Sequence, residues 1–223
     1  MIEVLSEYRI LFIDGTIITL KLTILSAILA LIISFVIGIA RISKYLSIRI
    51  FAIIYLEFFR GSSALVQMFF IFYVLPLWGI YFDPLTAGVI ACGCNLGSYG
   101  SEVVRGAILG VSKEQHEAAL ALNYNTFKRF RYVIIPQAIP VMIPTFSNLL
   151  IELLKLTAVT SLITINDLTM QAKTIQVQSA SLLEPFLIIL IIYFIISTFF
   201  LTITDYLAKR FSKGRNTIVT GAN

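Results

Sequence analysis

Long uncharged runs separated by short charged ones set the pattern of the chain. Residues 22–40 read LTILSAILALIISFVIGIA without a charge. Coiled as a helix, this run covers roughly 30 Å, the thickness of a bilayer's hydrocarbon core. Residues 61–82, 84–101, 132–151 and 185–204 are likewise uncharged. The last of these, PFLIILIIYFIISTFFLTIT, is apolar on every side and suits a lipid-facing helix. The run 84–101 is the least apolar, because it holds Gly88, Gly93, Gly97, Gly100, Asn95 and Ser98. Small residues there allow helices to approach closely inside a bundle. The pattern predicts an all-α integral membrane protein with five transmembrane helices in one transmembrane domain, 1–223. The spans fall at about 17–40, 54–82, 84–104, 132–153 and 185–207. Pro136, Pro140 and Pro144 recur on one face of the fourth span; each removes a helical hydrogen bond and can bend the helix. The segment 152–184, rich in Thr, Ser, Asn and Gln, is expected outside, as a gate or as a plain solvated loop.

Composition sharpens this. Of 223 residues, 58% are hydrophobic and only 13% charged, and mean hydropathy is +0.93. A soluble domain carries about a quarter charged residues. A disordered chain, a disulfide-stapled secreted domain and an ordinary soluble enzyme are therefore excluded. An odd number of crossings puts the termini on opposite sides, and Lys and Arg decide which. Arg41, Lys44, Arg49 and Arg60 follow the first span, and Arg105, Lys113, Lys128, Arg129 and Arg131 follow the third. Lys209, Arg210, Lys213 and Arg215 follow the fifth, whereas the other side receives only Arg9, Lys21, Lys155 and Lys173. The N-terminus is thus expected outside and the C-terminus in the cytoplasm. The net charge of +5 is then the positive-inside bias: membrane lipid is a sufficient partner and no nucleic acid is needed. Trp78, Tyr81 and Phe82 before Asp83-Pro84 fit an outer aromatic belt and a tight outer turn. Glu3 and Glu7 stand where a cleavable signal peptide would carry basic residues.

The chemistry inventory is sparse. Cys92 and Cys94 point to different helix faces and read as small buried residues. His116 is the sole histidine, so a multi-histidine metal site is ruled out and a Ser-His-Asp triad would rest on it alone. No catalytic or metal-ligating residues are assigned. The chain has no Gly-Lys pair, so it cannot build the phosphate-cradling loop of P-loop ATPases. Glu57 and Arg60, Glu102 and Arg105, and Glu152 and Lys155 lie at predicted span ends. A stand-alone ion-coupled secondary carrier usually needs a carboxylate or broken-helix site near the midplane, and the lack of an evident one weighs against that class.

Between the third and fourth spans lies a candidate cytoplasmic hairpin, 112–130, SKEQHEAALALNYNTFKRF. Ser112 with Gln115 reads as a capping box, and Glu114 and Glu117 favour the positive end of the helix dipole. Asn123 tolerates the left-handed conformation that closes a helix, and Asn125 or Thr126 can cap the next. Ala118, Ala119 and Ala121, flanked by Leu120, Leu122 and Tyr124, form a small-residue face. It reads either as an interfacial hairpin or as a shallow ridge that enters a partner's groove. Gln67, Asn95, Ser98, Asn148 and Thr157 are polar groups in apolar surroundings. They are candidates to line a solute path, and interhelical hydrogen bonding accounts for them equally well.

The run Glu117-Ala118-Ala119, with Leu122 and then Ile134, Pro136, Gln137 and Ala138, resembles the cytoplasmic signature of permease subunits of bacterial ATP-binding-cassette importers. Glu57-Phe58-Phe59-Arg60-Gly61, Ser101-Glu102-Val103-Val104-Arg105-Gly106, Asn148 with Leu153-Leu154-Lys155, and Asn166-Asp167-Leu168 resemble the polar-amino-acid uptake branch. The likeness extends in order from about Leu11 to Phe211. Asn123 stands where the signature commonly has Gly, Glu114-Gln115 where it has Gly-Gln, and Leu156-Thr157-Ala158 where the branch often has Asp-Thr-Ser. The resemblance implies a pore subunit, not an enzyme, that pairs as a homodimer or heterodimer with a second permease subunit in a bacterial cell membrane. Two ATPase subunits would bind the ATP, and an extracytoplasmic solute-binding protein would deliver a polar amino acid or related zwitterion. Glu117, Ala118, Ala119, Leu122 and Asn123 would form the ATPase-coupling element. A fainter likeness, from Ser161 through Asp167-Leu168-Thr169-Met170-Gln171-Ala172, points to an ectoine-type compatible solute as the alternative cargo.

Overall fold

The computed structural model describes residues 2–212; Lys213 and Arg215, counted above with the inner basic residues, lie outside the described residues. The short α1 (Ile2–Glu7) leads into α2 (Arg9–Ala40). Next, α3 (Leu46–Gly61) breaks at Ser62 and Ser63, and α4 (Ala64–Phe69) continues through a π turn (Phe70–Val74) and a 3-10 turn (Leu75–Trp78). Then follow α5 (Pro84–Leu109), the short α6 (Lys113–Ala121) and α7 (Thr126–Arg129), and a π turn (Phe130–Ile134) into α8 (Ile135–Thr157). A 3-10 turn (Ala158–Ile163), α9 (Leu168–Ser179) and α10 (Leu183–Ser212) complete the order. Among the described residues there is no strand.

Among the described residues, three helices are long and apolar enough to cross a membrane: Arg9–Ala40, the continuous Thr126–Ile163 and Leu183–Arg210. The pair Leu46–Gly61 and Ala64–Trp78 counts as a fourth if taken as one broken span, for its halves meet at 102°. The run expected to cross as one helix over 54–82 is therefore two helices. The reason is local: Ser62 and Ser63 are both extended, with ψ of 151° and 132°. In length α5, at 26 residues and about 39 Å, matches a crossing, but its Gly, Ser and Asn residues keep it less apolar than the others. The three prolines do not interrupt the fourth run. Pro136 follows a π turn, which accommodates the missing N–H, and the helix continues past Pro140 and Pro144.

The centre of the bundle is the seam between α2 and α5. Leu22 and Ala30 of α2 pack against Ala87, Ala91, Cys92 and Leu96 of α5, all buried. Gly97 and Gly100 make the approach possible. A Cβ at Gly97 would lie 2.7 Å from Ile33 Cβ, and one at Gly100 would collide with the Ser34 hydroxyl. The small residues of this run thus perform the close packing expected of them. A second cluster (Phe12, Leu168, Ala172, Ile175, Ile188 and Ile189) joins α2, α9 and α10. The segment after the fourth run is consequently not a solvated loop along its length, since α9 buries one face. A third cluster, with Val104, Ile108, Ile134 and Met142, ties α5 to α8. Ile24, Ile28 and Ile32 on α2 and Leu190, Phe194 and Ile195 on α10 point outward, as lipid-facing surfaces do.

Replacing Gly97 by Leu forces α2 and α5 apart, and overpacking of this kind costs about 1–3 kcal/mol. The thermal midpoint of the detergent-purified protein should fall, whereas Gly106→Ala, where an added Cβ meets nothing within 4 Å, should leave it unchanged or raised. Equal midpoints for both variants would remove the seam from its central place.

Candidate functional site

The hairpin between α5 and α8 forms as its sequence suggests, with one exception. Asn123 is left-handed at φ 57° and ends α6, while the Tyr124 N–H donates to the Ala119 carbonyl at 3.0 Å. Asn125 caps α7 by accepting from the Lys128 N–H at 2.9 Å. The exception is the capping box. Ser112 sits at the N-cap with no side-chain bond to the α6 backbone, and Gln115 instead accepts from the Gln137 amide at 3.1 Å, which fastens the hairpin to the start of α8. Its own backbone N–H, then the Ser112 hydroxyl, holds the Glu114 carboxyl below the usual range.

The small-residue face divides in two. Ala119 is buried, whereas Glu117, Ala118 and Ala121 are exposed. Glu117 pairs with Lys113, at 3.5 Å on an open surface, where such pairs contribute little. Leu120, Leu122 and Phe127 are all more than half exposed, so the outer ridge carries large apolar side chains beside the alanines. The hairpin therefore presents an apolar knuckle, held from behind by Ala119, Gln115 and Phe130.

The path candidates fall into separate places. Gln67 and Asn95 meet at the break between α3 and α4. The Gln67 amide donates to the Phe59 carbonyl at 2.9 Å and to the Ser62 hydroxyl at 2.8 Å. Asn95 donates to the same Phe59 carbonyl at 2.9 Å and lies 3.3 Å from Gln67 Oε1. Both are buried, and they satisfy carbonyls that the broken helix leaves without partners. Ser98 turns back onto its own helix, donating to the Asn95 carbonyl. Asn148 stands apart, exposed on α8, beside Ser147, which pairs with Thr204 of α10. A cavity of about 390 Å³ between α2, α5, α8 and α10 is lined by Ala30, Phe35, Leu96, Met142, Phe146 and Leu153 among others. It is almost wholly apolar, and its hydroxyls, those of Ser34, Ser147 and Thr204, are already bonded within the protein.

Thr157 belongs to a second polar cluster, which the sequence does not reveal. Asp167 caps α9, accepting from the Met170 N–H at 2.8 Å, and the Leu168 N–H donates to Thr19 of α2 at 3.1 Å. Tyr193 of α10 pairs with Thr169 at 3.2 Å, with the Thr19 and Thr157 side chains nearby; the Thr157 hydroxyl itself donates to the Leu154 carbonyl of its own helix at 2.7 Å. Lys173 donates to Ser161 at 3.2 Å. Thr19, Thr157 and Tyr193 lie far apart in the chain, and no local spacing links them. Asp167 is fully buried and its Oδ2 has no partner. Burial pushes its carboxyl up to about 6, against the lowering effect of the Met170 and Thr169 N–H groups and of Lys173. Among the described residues no three His, Cys, Asp or Glu side chains gather as a metal would require, and both cysteines are free.

A family model, binding-protein-dependent transport system inner membrane component, matches residues 30–213. The chain belongs to that family. It is 40% identical over 200 residues to the probable amino-acid ABC transporter permease protein y4tF of Sinorhizobium fredii, covering 86% of this chain and 84% of the relative. It is 37% identical over 196 residues to the L-cystine transport system permease protein TcyB of Bacillus subtilis, covering 86% and 82%. The putative glutamine transport system permease protein GlnP of Rickettsia typhi is 37% identical over 190 residues, covering 84% and 87%. Among solved structures, an amino acid ABC transporter crystallised with histidines aligns at a TM-score of 0.86 with 36% identity, over 92% of this chain and 96% of that one. The inward-facing MetNI methionine transporter aligns at 0.78 with 16% identity, over 93% and 99%, which is a likeness of fold.

Because the folded state raises the Asp167 carboxyl from its ordinary 3.8 to about 6, it binds the proton more readily than the unfolded chain does. The stabilisation from that proton is complete below about pH 4 and is lost as pH rises through about 6. Asp167→Asn keeps the cap and removes the titration. The variant should melt higher than the parent at pH 7.5 and show a flatter midpoint-against-pH curve between pH 4 and 7 in scanning fluorimetry. An unchanged slope would mean that Asp167 stays ionised throughout.

Proposed function

We propose that this chain is the translocation-pore subunit of an ATP-driven importer for a polar amino acid or a related zwitterion, in a bacterial cell membrane. The observation that carries the reading is the family membership joined to an exposed knuckle on a chain with no phosphate-cradling loop of its own. Relatives named for amino acids, glutamine and cystine support the cargo class. In this reading ATP is bound and hydrolysed on two separate ATPase subunits, a second permease subunit completes the pore, and an extracytoplasmic binding protein delivers the solute.

The N-terminus lies outside, the C-terminus inside, and α5 is the remaining crossing of a five-span bundle. Glu117, Ala118, Leu122 and Asn123 contact the ATPase, with Leu120 and Phe127 deepening the ridge, and Ala119 supports them from within. When ATP draws the ATPases together, the hairpin moves with them and shifts the equilibrium of the spans toward the outward-open state. Gln67, Asn95, Ser98, Asn148 and Thr157 lie along the route, of which Asn148 is the most available to a solute and Gln67 and Asn95 chiefly shape the bend.

In reconstituted vesicles, uptake of a radiolabelled amino acid should require a cognate ATPase subunit, ATP and a binding protein. Uptake by this chain alone under a proton or sodium gradient would instead make it a secondary carrier. Ala118→Arg should abolish co-purification of the ATPase while leaving the thermal midpoint unchanged, because Ala118 is exposed; Ala119→Leu should lower the midpoint itself. Retained co-purification in Ala118→Arg would move the docking contact elsewhere.

A further inference from the structure

Three guanidinium groups from three helices meet around one carboxylate. Arg41 follows the end of α2, Arg60 lies in the last turn of α3, and Arg105 lies on α5. Arg41 Nη1 is 2.7 Å from Glu102 Oε1, Arg60 Nη1 is 3.4 Å from the same oxygen, and Arg105 Nη1 is 3.6 Å from Oε2. One negative charge faces three positive ones. A single arginine would suffice to neutralise Glu102, so the cluster holds a surplus that its own residues do not balance.

The surplus is also fixed in place. The Arg41 side chain is 12% exposed, and its Nε is buried without an acceptor. The Arg60 guanidinium lies 5.6 Å from the centroid of the Tyr99 ring, which restrains its plane. Arg60 and Arg105 remain 42% and 39% exposed and so present open edges beside the sheltered third. Planar donors held this way match an oxyanion, and phosphate carries the oxygens to use several of them.

The surroundings suit an amphiphile. Lys44 and Arg49 are exposed nearby in sequence. Tyr45, Leu46, Ile50, Phe51, Ile54 and Phe58 of the α3 region are all at least 46% exposed. A basic recess thus adjoins an uncovered apolar helix surface.

We propose that Arg41, Arg60 and Arg105 form a binding site for a phosphate group, supplied by an anionic phospholipid whose chains lie along α3 or by free phosphate. The site needs only the cluster and does not depend on what the pore carries; its place in the inner leaflet follows from the orientation proposed above. Glu102 sets the arginines in register, and the incoming phosphate takes the donors that Glu102 leaves over.

The test uses the full-length protein in phosphatidylcholine nanodiscs with increasing phosphatidylglycerol, and in a separate arm with inorganic phosphate at matched ionic strength. Thermal midpoint and bound lipid by native mass spectrometry are read together. One of the two probes should raise the midpoint saturably: phosphatidylglycerol identifies a lipid site, and phosphate alone identifies a free-anion site. Arg60→Gln with Arg105→Gln should weaken that response roughly tenfold, while Lys44→Gln with Arg49→Gln, outside the cluster, should weaken it less. The proposal is overturned if neither probe shifts the parent protein, or if both pairs of substitutions weaken the response equally, which is the behaviour of plain surface charge. Because the readout is binding, its failure leaves the importer reading untouched.

Discussion

The rest of the structure depends on how closely α2 and α5 approach each other. In lipid there is no hydrophobic force between helices, so association rests on packing and on hydrogen bonds between them. Gly97 and Gly100 remove the side chains that would hold the backbones apart. Ser34 fills the resulting space, donating to Ala30 of its own helix at 2.6 Å and lying 3.3 Å from the Gly97 carbonyl. Every other element is referred to this pair. Phe146 of α8 stacks near Phe35 of α2, Tyr55 of α3 donates to the Cys94 carbonyl of α5 at 2.9 Å, and the start of α9 rests on Thr19.

A broken helix in apolar surroundings must find donors for the carbonyls it exposes. The break at Ser62 finds them on both sides, from Gln67 one turn onward and from Asn95 on the neighbouring α5. The bend is therefore an interhelical feature, not a weakness of α3. At the other polar cluster the donors and acceptors come from α2, the end of α8, α9 and α10 together, so that Thr19, Asp167 and Tyr193 fasten four segments at one place.

The long uncharged runs were enough to show an α-helical membrane protein, because hydropathy summed over some twenty residues reports burial in lipid. They could not show the bend, since Ser62 and Ser63 sit inside an uncharged run and its geometry depends on Asn95, on another helix. The hairpin was legible where the signal is local, as at Asn123 and Asn125. It was not legible at Ser112, where Gln137, distant in sequence, takes Gln115 for itself. Nor does the run of alanines reveal which of them faces inward; the pitch of α6 relative to α8 decides that Ala119 is buried and Ala118 is not. Arg41, Arg60, Glu102 and Arg105 were each visible in the sequence, as basic residues of a positive-inside count, as charges at span ends and within short motifs. Their convergence was not, for it arises from three helices meeting.

One helix connects the two ends of the molecule. From Thr126 to Ile163 it runs without a break for 38 residues, about 57 Å. Its first turns carry the hairpin, through Phe130 packed in the cluster between α5 and α8 and Gln137 bonded to Gln115. Its last turns carry Thr157, against Tyr193 and Thr19. A displacement of the hairpin therefore cannot be absorbed by a loop. At the far end of this helix stands the polar cluster, where Asp167 accepts from the Met170 N–H through one oxygen and its Oδ2 has no hydrogen-bond partner. A carboxylate held so incompletely costs the native state free energy. The arrangement thus places the closest backbone approach at α2 and α5, and a buried carboxylate oxygen without a partner beyond the end of α8.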